Sequence, residues 1–203
     1  AASYRGNLRR ALELLEQSSR TFSNSYLMLL RSQLLRDLFQ FRRAQEVLEP
    51  LFDVNSRLKN LHLSRARIHY DQGHFHQAIS DYRKELEINP DSEKALLYLA
   101  QSHYELGHYY RAEQLFLRAL GRGIRSVEVA EALGDIYSGP RFLPDRALVY
   151  YLQARKWAVQ SRRHNRMRQL DDKIQALQKT IELKSSDPEF RKRFPALFDE
   201  DSE

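Results

Sequence analysis

The chain has no cysteine among its 203 residues. That excludes disulfide bonds, thiolate zinc sites and cysteine nucleophiles. It is compatible with the cytosol and with an extracytoplasmic bacterial setting alike. Glycine and proline are scarce, at 7 and 6 residues, so a chain of this length reads as all-helical, in one elongated domain. No apolar run approaches the roughly 18 residues that a membrane-crossing helix needs. No glycine-rich phosphate loop follows a strand, because no strand is evident, and no serine–histidine–carboxylate arrangement stands out. The many carboxylates read as a solvent-facing charged surface. The expectation is a non-enzymatic chain without catalytic residues, metal or cofactor.

What the chain does have is a period. Ala44, Ala78 and Ala112 are each 34 residues apart. Gly73 and Gly107, His69 and His103, Tyr70 and Tyr104, and Tyr82 and Phe116 keep the same interval. Such a period marks an array of helix-turn-helix units rather than a globule with one closed core. Gly73 and Gly107 fall where one helix stops and the next begins, a place that favours positive φ. The alanines let two helices cross closely. Pro90 ends its helix, and Asp91 or Ser92 can cap the following one.

Residues 62–90 read HLSRARIHYDQGHFHQAISDYRKELEINP, and residues 96–124 read LLYLAQSHYELGHYYRAEQLFLRALGRGI. This pair resembles the tetratricopeptide repeat. The pattern slots hold Ala66, Tyr70, Gly73, Phe75, Ala78, Tyr82, Glu85 and Pro90 in the first copy. In the second they hold Ala100, Tyr104, Gly107, Tyr109, Ala112, Phe116, Ala119 and Ile124. Glu85 in place of a small residue and Ile124 in place of proline depart from the pattern and are expected to weaken single interfaces. The resemblance implies an all-α, right-handed superhelical solenoid of helix-turn-helix repeats with a C-terminal capping helix.

The frame extends both ways. Upstream, Phe41 and Ala44 hold repeat slots, but Phe39 takes the glycine slot, which predicts a tighter or distorted turn. Downstream, Leu133, Gly134, Tyr137, Ala147, Tyr151 and Ala154 continue the pattern around a breaker-rich turn, SGPRFLPD, expected to loop out. Gly6, Leu8, Ala11 and Leu15 read as the second helix of a further repeat, so the chain reads as a fragment of a longer protein, with Ala1-Ala2-Ser3 as a cloning scar. The expected organisation is a solenoid over 1–184: a half repeat at 4–24, repeats at about 25–58, 59–92, 93–126 and 127–160, and a capping helix at 161–184. A tail at 185–203 follows.

Met167, Leu170, Ile174, Leu177 and Ile181 form one apolar seam on the capping helix. The seam reads as a cover for the open end of the array, with a coiled-coil seam for a partner or a second copy as the alternative. In the tail, Asp187-Pro188-Glu189 is a helix start, and Phe190, Phe194, Leu197 and Phe198 give an apolar face. That face reads as a strap on the cap helix or as a docking motif. The terminal DEDSE reads as disordered.

The formal net charge of +6 is uneven. Arg155, Lys156, Arg162, Arg163, Arg166 and Arg168 share a stretch that contains no acid. A nucleic-acid contact is the alternative function for this stretch, though Trp157 alone supplies no stacking platform. His69 and His103 read as packed rings, and His74 and His108 as ordinary polar residues after the turn. Their shared register reads as architecture rather than as a metal site.

In the resembled family, the second, fifth, ninth and twelfth residues of each repeat's first helix line the concave groove. Here the fifth are Leu29, Leu63, Leu97 and Glu131, and the ninth are Gln33, Arg67, Gln101 and Asp135. The twelfth are Arg36, Tyr70, Tyr104 and Ser138, and the second are Tyr26, Asn60, Lys94 and Glu128. Lysine and asparagine at the fifth and ninth positions clamp chaperone-tail carboxylates in some members. Leucine with glutamine or arginine here does not support that clamp. The expected site is Leu29, Gln33, Arg36, Leu63, Arg67, Tyr70, Leu97, Gln101 and Tyr104, with an acidic end at the fourth repeat. The expected partner is a protein segment carrying apolar anchors and acidic residues.

Overall fold

The computed structural model describes residues 2–19 and 24–197. Ala1, Phe198 and the acidic 199–203 stretch, for which the sequence predicts a scar, an apolar contact and disorder, lie outside the described residues. Every element among the described residues is helical. Contacts divide the chain into two compact units, Ala1–His108 and Tyr109–Glu203.

The first unit holds α1 (Ala2–Ser19), α2 (Ser25–Asp37), α3 (Phe41–Asn55), α4 (Leu61–Asp71), α5 (Phe75–Ile88) and α6 (Glu93–Glu105). α2 pairs with α3 and α4 with α5, and α2, α4 and α6 also touch one another in sequence. Ala44, Ala66, Ala78 and Ala100 are fully buried, as close helix crossing requires. Leu12 of α1 joins Leu35, Leu48, Leu61 and Ile68 in one apolar cluster. α6 starts on Ser92, whose hydroxyl accepts the Ala95 N–H at 3.3 Å.

The turns share one backbone solution. At Gly73 (φ 77°), Gly73 N–H donates to the Tyr70 carbonyl and His74 N–H to the His69 carbonyl. Gly107 (φ 71°) does the same with Tyr104, and His108 with His103. Phe39 adopts φ 61° and keeps the same two bonds, from Phe39 to Arg36 and from Gln40 to Leu35. The expected distorted turn is therefore absent. The hydrogen-bond pattern is retained, and the cost is a bulky side chain in the left-handed region, about 1–2 kcal/mol.

The second unit holds α7 (Tyr109–Gly121), α8 (Val127–Ser138), α9 (Pro144–Gln160), α10 (His164–Lys184) and α11 (Pro188–Arg193), followed by a short 3-10 turn at Pro195–Leu197. α8 and α9 pack closely because Gly134 lets the Tyr151 ring lie against the α8 backbone. α10 packs on α9, and its seam residues Leu170, Ile174 and Leu177 are buried. Within this unit the seam is already covered. The tail folds back through Phe190 and Phe194. Both rings pack against Phe142 of the α8–α9 loop at 6.4 Å, and the Lys184 ammonium lies over the Phe142 ring at 4.3 Å.

Candidate functional site

α2, α4 and α6 together form a pocket of about 270 Å³. α2 supplies Tyr26, Leu29, Leu30, Ser32, Gln33 and Arg36; α4 and its N-cap supply Asn60, Leu63, Ser64 and Arg67; α6 supplies Lys94. No acid lines it. Leu29, Leu30 and Leu63 make the floor apolar, and Tyr26 stands at 70% exposure.

Two of these positions differ in character from the sequence reading. Leu63 is 7% exposed, so it belongs to the floor and is not a protruding anchor. Arg36, expected to meet a partner's acids, is 5% exposed and lies 3.4 Å from Asp71, with Asp37 on its other side. Its charge is already matched. Burial raises the Asp71 carboxyl above its ordinary value, against the pull of Arg36 and Arg67.

Arg67 is held differently. Its guanidinium lies 5.0 Å from the Tyr98 ring centre and donates to the Tyr98 hydroxyl at 3.3 Å. Tyr98 in turn stacks on buried Tyr82 and meets the edge of Tyr70. A cation on an aromatic platform keeps its N–H groups in a fixed fork, suited to a carboxylate. Lys94 opens α6 as an exposed ammonium.

Tyr70, Leu97, Gln101 and Tyr104 do not line this pocket. Tyr70 packs between Phe75 and Tyr98, and burial raises its hydroxyl pKa. Gln101 donates to Glu105 at 2.7 Å, while Leu97 and Tyr104 are half-buried on α6. The pocket instead recruits Tyr26, Asn60 and Lys94, the second-position residues of their repeats. Leu30, Ser32 and Ser64 carry no repeat-position signal; they face it because a helix presents a ridge wider than one residue in four.

In the second unit the groove positions of the fourth repeat are occupied. Lys173 donates to Glu131 at 2.9 Å and to Asp135 at 2.6 Å, and Arg166 lies 3.0 Å from the other Glu131 oxygen. Burial works to lower the Lys173 pKa, but its bonds to Asp135 and Glu131 raise it above the ordinary value. Arg163 pairs with Glu128, and Arg155 with Asp171. Three of the six residues of the basic stretch therefore hold α10 in place. Lys156, Arg162 and Arg168 stay exposed. The expected open acidic end is closed by the cap helix itself.

The reading of carboxylates as a solvated surface fails at Asp81, Glu85, Glu113 and Glu131, all buried. Asp81 accepts two bonds from Arg65, at 2.8 and 2.7 Å, and lies 3.2 Å from His62 Nδ1. Glu113 accepts from the Tyr137 hydroxyl and from Arg141, both at 2.7 Å. Burial, with this bond next, pushes the Tyr137 hydroxyl up to about 12. Each buried charge has matched donors, so these networks are structural. Glu85 in a small-residue slot was the sequence signal for one of them.

Among the described residues no helix is long and apolar enough to cross a membrane. Residues 37–119 match the family model of anaphase-promoting complex, cyclosome, subunit 3. The search of curated proteins finds no match. Among solved structures, a thermophilic TPR protein of Thermus thermophilus is similar at TM-score 0.67 and 19% identity, covering 83% of this chain and 91% of that one. A crystal structure of MamA is similar at TM-score 0.66 and 14% identity, over 79% and 94%. BtubC from P. vanneervenii gives TM-score 0.64 and 17% identity, over 95% and 90%. With the turn glycines, buried alanines and period already described, these likenesses show an all-α fold built of helical repeats of the tetratricopeptide type.

Proposed function

We propose that the pocket of α2, α4 and α6 binds an extended or helical segment of a partner protein through apolar anchors and at least one acidic group. The observation that carries this reading is the pocket's composition: an apolar floor, two cations not matched by a carboxylate in the described contacts, and no acid. Apolar anchors reach Leu29, Leu30 and Leu63 under the Tyr26 rim, while a carboxylate meets Arg67 and Lys94. Apolar contact supplies most of the affinity and the charge fixes register. Proteins of this repeat type are generally non-enzymatic scaffolds, and the site contains no nucleophile–base arrangement. The basic stretch, with half its cations engaged within the chain, is the weaker candidate.

The test is a peptide-display selection against the protein, with every enriched peptide then measured on Arg67→Glu/Lys94→Glu. Both side chains are outside the core, so circular dichroism of the variant stays native. The expected peptides combine acidic and large apolar residues and lose at least tenfold in affinity on the variant. Peptides that bind both proteins equally would place the site elsewhere.

A further inference from the structure

We infer that the outward face of α9 is a second docking surface, which takes an amphipathic helix of a partner protein whose apolar residues alternate at three- and four-residue spacing and are flanked by acidic ones. α9 packs on α8 and α10, with Ala147, Tyr151, Ala154 and Ala158 buried. On its other side Val149, Leu152, Lys156 and Val159 follow at intervals of three, four and three. Helical period aligns them in one stripe about 15 Å long. The three apolar side chains are 63%, 48% and 49% exposed, and Lys156 stands exposed among them. Single exposed aliphatic residues are ordinary on a protein surface, but three in one helical register form a seam.

α10 shows the chemistry that this helix accepts. Leu170, Ile174 and Leu177 are buried at intervals of four and three, and the Asp171 carboxylate beside them pairs with Arg155 of α9. Lys156 is the next residue on α9, turned about 100° further round the helix and away from its buried face. No acid occurs between Asp145, in the first turn of α9, and Asp171. Arg146 and Gln160 are exposed beside the stripe, so beyond the first turn the face carries positive charge alone. A second helix on α9 therefore finds apolar contact along the stripe and one cation that calls for a carboxylate, which fixes its register.

Two other occupants fit worse. A second copy laid parallel on the stripe opposes Lys156 to itself, and one laid antiparallel sets it against Leu152, which buries an ammonium without a carboxylate. A lipid surface takes large aromatic and leucine side chains from an amphipathic helix. This stripe has two valines and a single leucine, and Trp157 is half-buried. The face lies wholly in the second unit and shares no residue with the pocket of α2, α4 and α6.

The experiment measures, by fluorescence anisotropy, binding of the full chain to a labelled three-heptad peptide whose heptads read Leu-Glu-Ala-Leu-Glu-Gln-Glu, beside the same peptide with lysine for every glutamate. The glutamate peptide is expected to bind and the lysine peptide not. Leu152→Glu, at an exposed position, weakens binding at least tenfold with native circular dichroism. Lys156→Glu reverses the preference between the two peptides. Arg67→Glu/Lys94→Glu, in the first unit, leaves binding intact. No binding of the glutamate peptide, equal binding by Leu152→Glu, an unreversed preference in Lys156→Glu, or loss of binding in the first-unit variant would each overturn the inference. So would flotation of the protein with phosphatidylserine vesicles that Leu152→Glu abolishes, since it would assign the face to lipid.

Discussion

The Glu85 carboxylate on α5 caps the start of α4: one oxygen accepts the Asn60 N–H at 2.8 Å, the other the Leu63 N–H at 3.3 Å. Asn60 sits in the left-handed region, at φ 68°, and makes no side-chain cap of its own. The first N–H groups of a helix have no partner within it, and they attract negative charge. Glu85 therefore ties the two helices of the second repeat together where the repeat pattern has a small residue. The expectation of a weakened interface is reversed. Glu85→Ala leaves the Asn60 N–H and the buried Leu63 N–H without this partner and should cost about 1–3 kcal/mol in urea unfolding. A variant as stable as the parent would show the cap to be dispensable.

Phe39 offers the opposite opportunity. Its left-handed backbone suits glycine, and the ring is 64% exposed, touching Phe41 and the Arg5 guanidinium. Phe39→Gly should raise the melting temperature, with a net gain of up to about 1 kcal/mol after the lost ring contacts. A fall would mean that those contacts outweigh the strain.

Gly134 is required by close approach. A Cβ there would stand 2.4 Å from Tyr151 Cδ1. Tyr151 cannot swing away freely, because its hydroxyl donates to Asp135 at 2.7 Å. Gly134→Ala should destabilise by about 1–3 kcal/mol. Gly121→Ala, where a Cβ meets nothing within 4 Å, is the matched control and should be neutral or slightly stabilising. Equal effects of the two changes in chemical denaturation would contradict this account.

Asp81 sets an acid limit on the first unit. Burial works to raise its pKa, but the hydrogen bonds and charge of Arg65 and His62 hold it below the ordinary carboxylate value. A depressed folded-state pKa stabilises fully above the unfolded value of about 3.9, and that contribution is lost as pH falls through the lower folded value. Asp81→Asn should therefore lower stability at neutral pH and flatten its fall below about pH 4. Parallel pH profiles for variant and parent would remove Asp81 from this role.

Much of the fold is legible in residue order because the repeat is local. Ala78, Gly73 and Pro90 each act within one helix pair, through crossing distance, backbone freedom and a missing N–H. The seam at Leu170, Ile174 and Leu177 is equally plain, since helical period alone aligns it. The pocket is only partly legible. Register places Leu29, Gln33 and Arg67 toward the groove, but register says nothing about depth. Leu63 sinks into the floor and Arg36 is neutralised by Asp71 because neighbouring helices approach there.

Sequence by itself determined the period, the helices and the small residues at their crossings, since these follow from steric rules that act over a few residues. Tertiary structure alone decided which charges are free. Glu131 and Asp135 look like an open acidic groove until Lys173, 38 or more residues away in the chain, reaches them. Arg67 is held on the Tyr98 ring and hydroxyl, while Arg36 takes the nearer contact with Asp71. Burial and charge pairing depend on distances between residues remote in sequence, and those distances exist only once the helices have packed.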